Sequence, residues 1–67
     1  MDTRLVATGG ASKHLGLAES TLEKMRVKGD GPPYAKLGRA VRYRLCDLDG
    51  WAAARLVTST SHQRAHP

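Results

Sequence analysis

Gly16 divides two stretches of helical periodicity, each too short to be anything but a separate helix meeting its neighbour at a tight turn. Lacking a Cβ, it can take a left-handed backbone conformation and stop the first helix just after Leu15 has entered the core. Leu17 then fills the angle between the helices, and residues 18–26 open the second. On a 3.6-residue wheel Ala18, Leu22 and Met25 fall on one side, while Ser20, Glu23, Lys24 and Val27 fall on the other. The first side is expected to face the core and the second to meet a partner. Two helices joined in this way outline a helix-turn-helix.

A chain of 67 residues has room for one domain with one small core, worth only ~3 to 5 kcal/mol of stability without staples. That domain is expected over 1–57, with a Ser/Thr-rich disordered tail over 58–67. A buried active-site cavity is not expected at this size. The formal charge is +5 and the sequence pI is near 10.0, a balance that points to a polyanionic partner. The charge is concentrated over residues 24–44, where Lys24, Arg26, Lys28, Lys36, Arg39, Arg42 and Arg44 face one acid, Asp30. A solvated basic face would give the same composition, but the clustering favours a nucleic-acid footprint.

Cys46 is the single cysteine, so no intramolecular disulfide is expected and a reducing, cytoplasmic setting is the simpler reading. No apolar run approaches the ~20 residues of a membrane span, and neither a signal peptide nor an internal repeat is legible.

Along the chain, Leu5 and Val6 form a lead-in that can pack on the first helix. Thr8 is placed as that helix's N-cap, and Ala7, Ala11 and Leu15 make its apolar stripe. Gly9 and Gly10 weaken it, each by roughly 0.5 to 1 kcal/mol relative to Ala in a helix interior. The second helix starts near Ala18, a poor cap, with Glu19 suiting the dipole, and ends by Gly29. Gly29, Asp30, Gly31, Pro32 and Pro33 deliver an extended chain. A short hairpin follows, broken at Gly38, Arg39 and Ala40, with Arg39 at its tip. Alternation turns Val41 and Tyr43 inward and Arg42 and Arg44 outward, and matches Ala35 and Leu37 to the inward pair. A third helix, with Asp47 and Asp49 in its first turn and Cys46 at its N-cap, buries Leu48, Trp51, Ala52 and Leu56. Trp51 is assigned to the core, base stacking being the alternative. The fold class expected is mainly α with a small β-hairpin.

Several pieces together, Leu15-Gly16-Leu17, Ser20-Thr21-Leu22, the Gly-Pro connection, Lys36-Leu37-Gly38-Arg39, Arg42-Tyr43-Arg44 and Asp47-Leu48-Asp49-Gly50-Trp51, resemble the excisionase and AlpA family. These are small winged-helix DNA-binding proteins with a MerR-like domain, and the likeness covers about residues 5–57. Gly9, Gly10, Ala18 and Met25 depart from the family's usual pattern. The resemblance implies a recombination directionality factor of a phage or mobile element, or a small transcriptional regulator. It places the second helix in the major groove and the hairpin as a wing over the adjacent minor groove. It further implies a nucleoid-associated protein, monomeric in solution, that assembles head to tail and cooperatively on DNA, with an integrase or recombinase as a further partner. With about ten residues after Val57, a symmetric dimer built on the long helix of full-length MerR-type regulators is not expected.

The residues support that expectation independently. Ser20 can donate to or accept from a base edge or phosphate, Thr21 lies at the groove margin, and Lys24 can reach guanine acceptors or phosphate. Glu23 is either a specificity element, accepting from cytosine N4 or orienting Lys24, or a dispensable surface residue. Arg39 suits a narrow, negative minor groove, and Lys28, Lys36, Arg42 and Arg44 suit phosphate contacts. No catalytic constellation is present, so an enzyme is not expected: Ser12 and His14 lack a third group, and His14 reads as a satisfied surface histidine. His62 and His66 have helical metal spacing but lie in the tail, so neither a metal nor a cofactor is expected. The rival is a protein-interaction module that docks on an integrase or RNA polymerase through the Trp51 helix. An RNA-binding reading is weaker, because Tyr34 and Tyr43 are too few for a stacking platform.

Overall fold

The computed structural model describes residues 2–57. The elements in order are β1 (Leu5–Val6), α1 (Thr8–Leu15), α2 (Glu19–Lys28), β2 (Ala35–Leu37), β3 (Ala40–Arg44) and α3 (Leu45–Ala53). The three strands form one antiparallel sheet in the order β1-β3-β2. The fold is therefore a mixed one, three helices with a three-stranded sheet. The lead-in becomes a strand because Leu5 pairs with Arg44 and Val6 with Tyr43, which the two-stranded expectation had not included.

Each of four elements contributes one fully buried side chain to the core: Ala11 from α1, Leu22 from α2, Tyr43 from β3 and Leu48 from α3. Val6, Leu15, Leu17, Met25, Val41 and Leu45 pack around them half-buried. With so few buried residues, each one is shared by several elements, and the loss of any one loosens the whole domain. Leu17 sits in the angle between α1 and α2 as its position requires.

Both helices of the first pair stop by the same device. Gly16 and Gly29 adopt left-handed φ values of 72° and 85°. The N–H groups of Gly16 and Leu17 both donate to the Ser12 carbonyl, and those of Gly29 and Asp30 to that of Met25. These paired 5→1 and 6→1 bonds satisfy carbonyls that a helix end otherwise leaves bare. At the other end of α1 the cap is Ala7, one residue earlier than expected. Thr8 is the first helical residue, and its hydroxyl faces Arg26 Nη1 at 3.5 Å. Gly10 has a packing reason: a Cβ there would lie 2.9 Å from Val6 Cβ, so glycine lets β1 close on the helix. A Cβ on Gly31 would likewise lie 2.9 Å from Met25 Cβ.

The hairpin register differs from the expected one. Gly38 has φ 65°, Arg39 completes a two-residue turn, and Leu37 pairs with Ala40, the arrangement a primed turn with glycine first imposes. Ala35 therefore stands opposite Arg42, and Lys36 opposite Val41. Because strand side chains alternate with period two, shortening the loop by one residue turns Ala35 and Leu37 to the outer face with Arg42 and Arg44. Leu37 is accordingly exposed, and the inner face is lined by Val6, Val41 and Tyr43.

The third helix also departs from expectation. Its N-cap position is Arg44, and Cys46 is its second residue. The N–H groups of Leu45 and Cys46 donate to the carbonyls of Arg4 and Asp2 at 3.0 and 2.7 Å, so the N-terminal segment caps α3 through its main chain. Asp2 is itself clamped by Arg4, whose backbone N–H, Nε and Nη2 all donate to it. Those bonds hold the Asp2 carboxyl at about 2, below its ordinary 3.8. Only Asp47 lies in the first turn, Asp49 falling in the second. Past Ala53 the helix tightens into i→i+3 bonds from Arg55 to Ala52 and from Leu56 to Ala53, which rotates Leu56 out of the buried stripe. Leu56 is 73% exposed, and Ala52 is exposed too.

Trp51 is half-buried at the edge and stands outside the core. Arg55 covers its ring with the guanidinium carbon 4.2 Å from the centroid, and Arg55 Nη1 donates to the Trp51 carbonyl. Of the four side chains expected in the buried stripe of α3, Leu48 alone is fully buried. No helix among the described residues is long and apolar enough to cross a membrane. The tail over 58–67, with His62 and His66, lies outside the described residues.

Candidate nucleic-acid interface

In α2, Leu22 is buried, with Met25 and Arg26 half-buried on either flank. The opposite arc is therefore open. Ser20, Glu23, Lys24, Val27 and Lys28 line one shallow depression on that arc, and Thr21 is exposed at its margin. No side-chain hydrogen bond or ion pair engages Lys24, Lys28 or Glu23 among the described residues. Glu23 thus does not orient Lys24 within the free protein.

The second group sits on the hairpin. Lys36 is exposed on β2, and Arg39 is exposed at the turn, held out by the Gly38 conformation. Neither has an internal partner among the described residues. Arg42 is half-buried and donates from Nη1 to the Val41 carbonyl at 2.8 Å, so part of its guanidinium is already engaged. Arg44 is further committed. Its Nε and Nη2 donate to both Asp47 oxygens at 2.8 and 3.1 Å, a bidentate pair that offsets its charge and raises its affinity for a proton. Among the expected phosphate contacts, then, Lys28 and Lys36 stand ready, Arg42 is partly tied and Arg44 is paired.

Arg26 joins the two groups, a role its place in the basic segment did not reveal. From the buried flank of α2 its Nη1 donates to Tyr43 Oη at 3.0 Å and reaches Thr8 Oγ1 at 3.5 Å, while the guanidinium lies 5.8 Å from the Tyr34 ring centroid. Tyr34 and Tyr43 are themselves a tilted pair at 6.1 Å. One cation thus links α1, α2 and the sheet, and so ties the exposed helix face to the hairpin. The available signal was its wheel position, one turn after Leu22 at the edge of the apolar side.

The remaining chemistry-bearing residues are accounted for separately. His14 Nε2 lies 2.7 Å from Asp49 Oδ1, bridging α1 to α3, and Ser12 Oγ donates to the Gly9 carbonyl at 3.0 Å. They do not converge on a common point. No group of three or more potential metal ligands occurs among the described residues.

No protein-family profile matches the chain, and no curated protein matches it significantly.

Proposed function

We propose that this chain is a winged helix-turn-helix module that binds double-stranded DNA with sequence preference, and that it works by binding and not by catalysis. In this reading α2 lies in the major groove, and the β2–β3 hairpin reaches the neighbouring minor groove with Arg39. The observation that carries it is the pair of exposed basic groups without internal partners, Lys24 and Lys28 on α2 and Lys36 and Arg39 on the hairpin. Uncompensated cations on two projecting elements match a phosphate backbone, whose neutralisation supplies most of the affinity of such proteins. Ser20 and Glu23 then face base edges, Thr21 lies at the groove margin, and Arg42 adds a phosphate contact. Arg44 contributes only if Asp47 releases it.

The role that fits is an excisionase-type directionality factor or a small transcriptional regulator, since both use the same contacts. A single module of this size buries only about 600 to 1,000 Å² on DNA. Specificity is therefore proposed to come from monomers placed head to tail on direct repeats, with an integrase as a further partner. A second reading, a docking face on α3 for an integrase or polymerase, draws on half-buried Trp51 beside exposed Leu56. Leu48, being fully buried, is not part of such a face.

The test is to select duplexes from a randomised pool and repeat the selection with two variants. Ser20→Ala is expected to change which core bases are enriched, a good base contact being worth about 1 to 3 kcal/mol. Arg39→Ala is expected to lose affinity chiefly for sites with an A·T-rich flank, where the minor groove is narrow. Enrichment of no site by the wild type contradicts the proposal.

A further inference from the structure

Val27 is the most exposed large apolar side chain of the described residues, at 88%, and it is the one apolar residue on the open arc of α2. A single exposed valine is ordinary in itself. Its position is not. Ser20, Glu23, Lys24 and Val27 form an i, i+3, i+4, i+7 set, the spacing from which a recognition helix presents side chains to successive base edges. All four line the same depression, with Lys28 at its end. Ser20 and Val27 are two turns apart and nearly aligned along the axis, about 10 Å of reach, or roughly three base-pair steps.

The chemistry of the set is divided. Ser20, Glu23 and Lys24 offer a hydroxyl, an acceptor and a donor, whereas Val27 can exchange no hydrogen bond and offers only two methyl groups. Being β-branched, it holds essentially one χ1 rotamer in a helix, so those methyls are fixed before any partner arrives. In the major groove the one apolar feature is the C5-methyl group of thymine. On the DNA-binding reading above, on which this inference rests, we propose that Val27 is a specificity-determining residue that reads thymine by packing against its C5-methyl. Lys24 and Lys28 flank it and hold the adjacent backbone, while the valine excludes water from the methyl it covers.

The experiment uses the full chain and a duplex of about 20 base pairs recovered by the wild type from a randomised pool. Each thymine is replaced in turn by deoxyuridine, which lacks only the methyl group. For wild type, one position, or two adjacent ones, is expected to bind roughly four-fold more weakly, the value of one buried methylene-sized group. For Val27→Ala that loss disappears, thymine and deoxyuridine binding alike there. Val27→Thr, which keeps one γ-methyl in a similar shape, retains part of the discrimination. Val27 is too exposed for either variant to disturb the core, and unchanged thermal melting checks this.

If deoxyuridine scanning gives the same profile for wild type and Val27→Ala, or if the selected sites contain no enriched thymine, the inference is overturned while duplex binding by α2 stands. If the wild type selects no duplex at all, the DNA reading fails and takes this inference with it.

Discussion

Trp51 and Arg26 exchange the roles that their side chains suggest at the scale of single residues. The large indole stands at the edge under Arg55, while the arginine reaches inward to a buried phenol. Trp51→Ala is therefore expected to cost about 1 to 2 kcal/mol, the partial burial of one side chain plus its contact with a cation, and not the 3 to 5 kcal/mol of a core tryptophan. A cooperative melt lowered by roughly 5 to 15 °C would agree. Loss of cooperative folding would make Trp51 a core anchor after all. Local chemistry made the glycine stops legible, since Gly16 and Gly29 take the left-handed conformation at no Cβ cost. The reason for Gly10 was not legible, because it lies in a contact with Val6 that exists only once β1 has docked.

Pairings between elements depend on groups too far apart in sequence for periodicity to reveal. The helices were legible from apolar spacing and the hairpin from its turn, but one residue of loop length decided which face of β2 points inward. The Arg26–Tyr43 bond is a second such pairing. Tyr43→Phe leaves the ring in the core but removes the acceptor, with an expected loss of about 0.5 to 1.5 kcal/mol. A lowered melting temperature and weaker duplex binding are expected together, since the bond ties the helix face to the hairpin. Unchanged values of both would show that Arg26 is not the tie.

The clamp that caps α3 gives a pH signature. Arg4 holds the Asp2 carboxyl at about 2, against 3.8 in its ordinary state, so the folded protein keeps it ionised where the unfolded chain takes up a proton. Its stabilising contribution is complete above about 3.8 and is lost as pH falls towards 2. Comparing wild type with Asp2→Asn by thermal melting, the stability difference is expected to shrink steadily over that interval. A difference independent of pH would mean that the carboxylate charge contributes nothing.

On the scale of the whole molecule, a core of four fully buried apolar side chains supports two projecting basic elements linked by one arginine. The basic segment was legible as a cluster in the sequence. Its division was not: Arg44 is paired with Asp47, which lies in the first turn of the next helix, and Arg26 is consumed internally. Lys24, Lys28, Lys36 and Arg39, with part of Arg42, are left to meet a polyanion. The most direct measurement is a titration of duplex DNA over a range of salt concentrations. Four to five phosphate contacts give a slope of log affinity against log salt of about −3.6 to −4.5. A slope near zero, or no binding at low salt, would contradict the account.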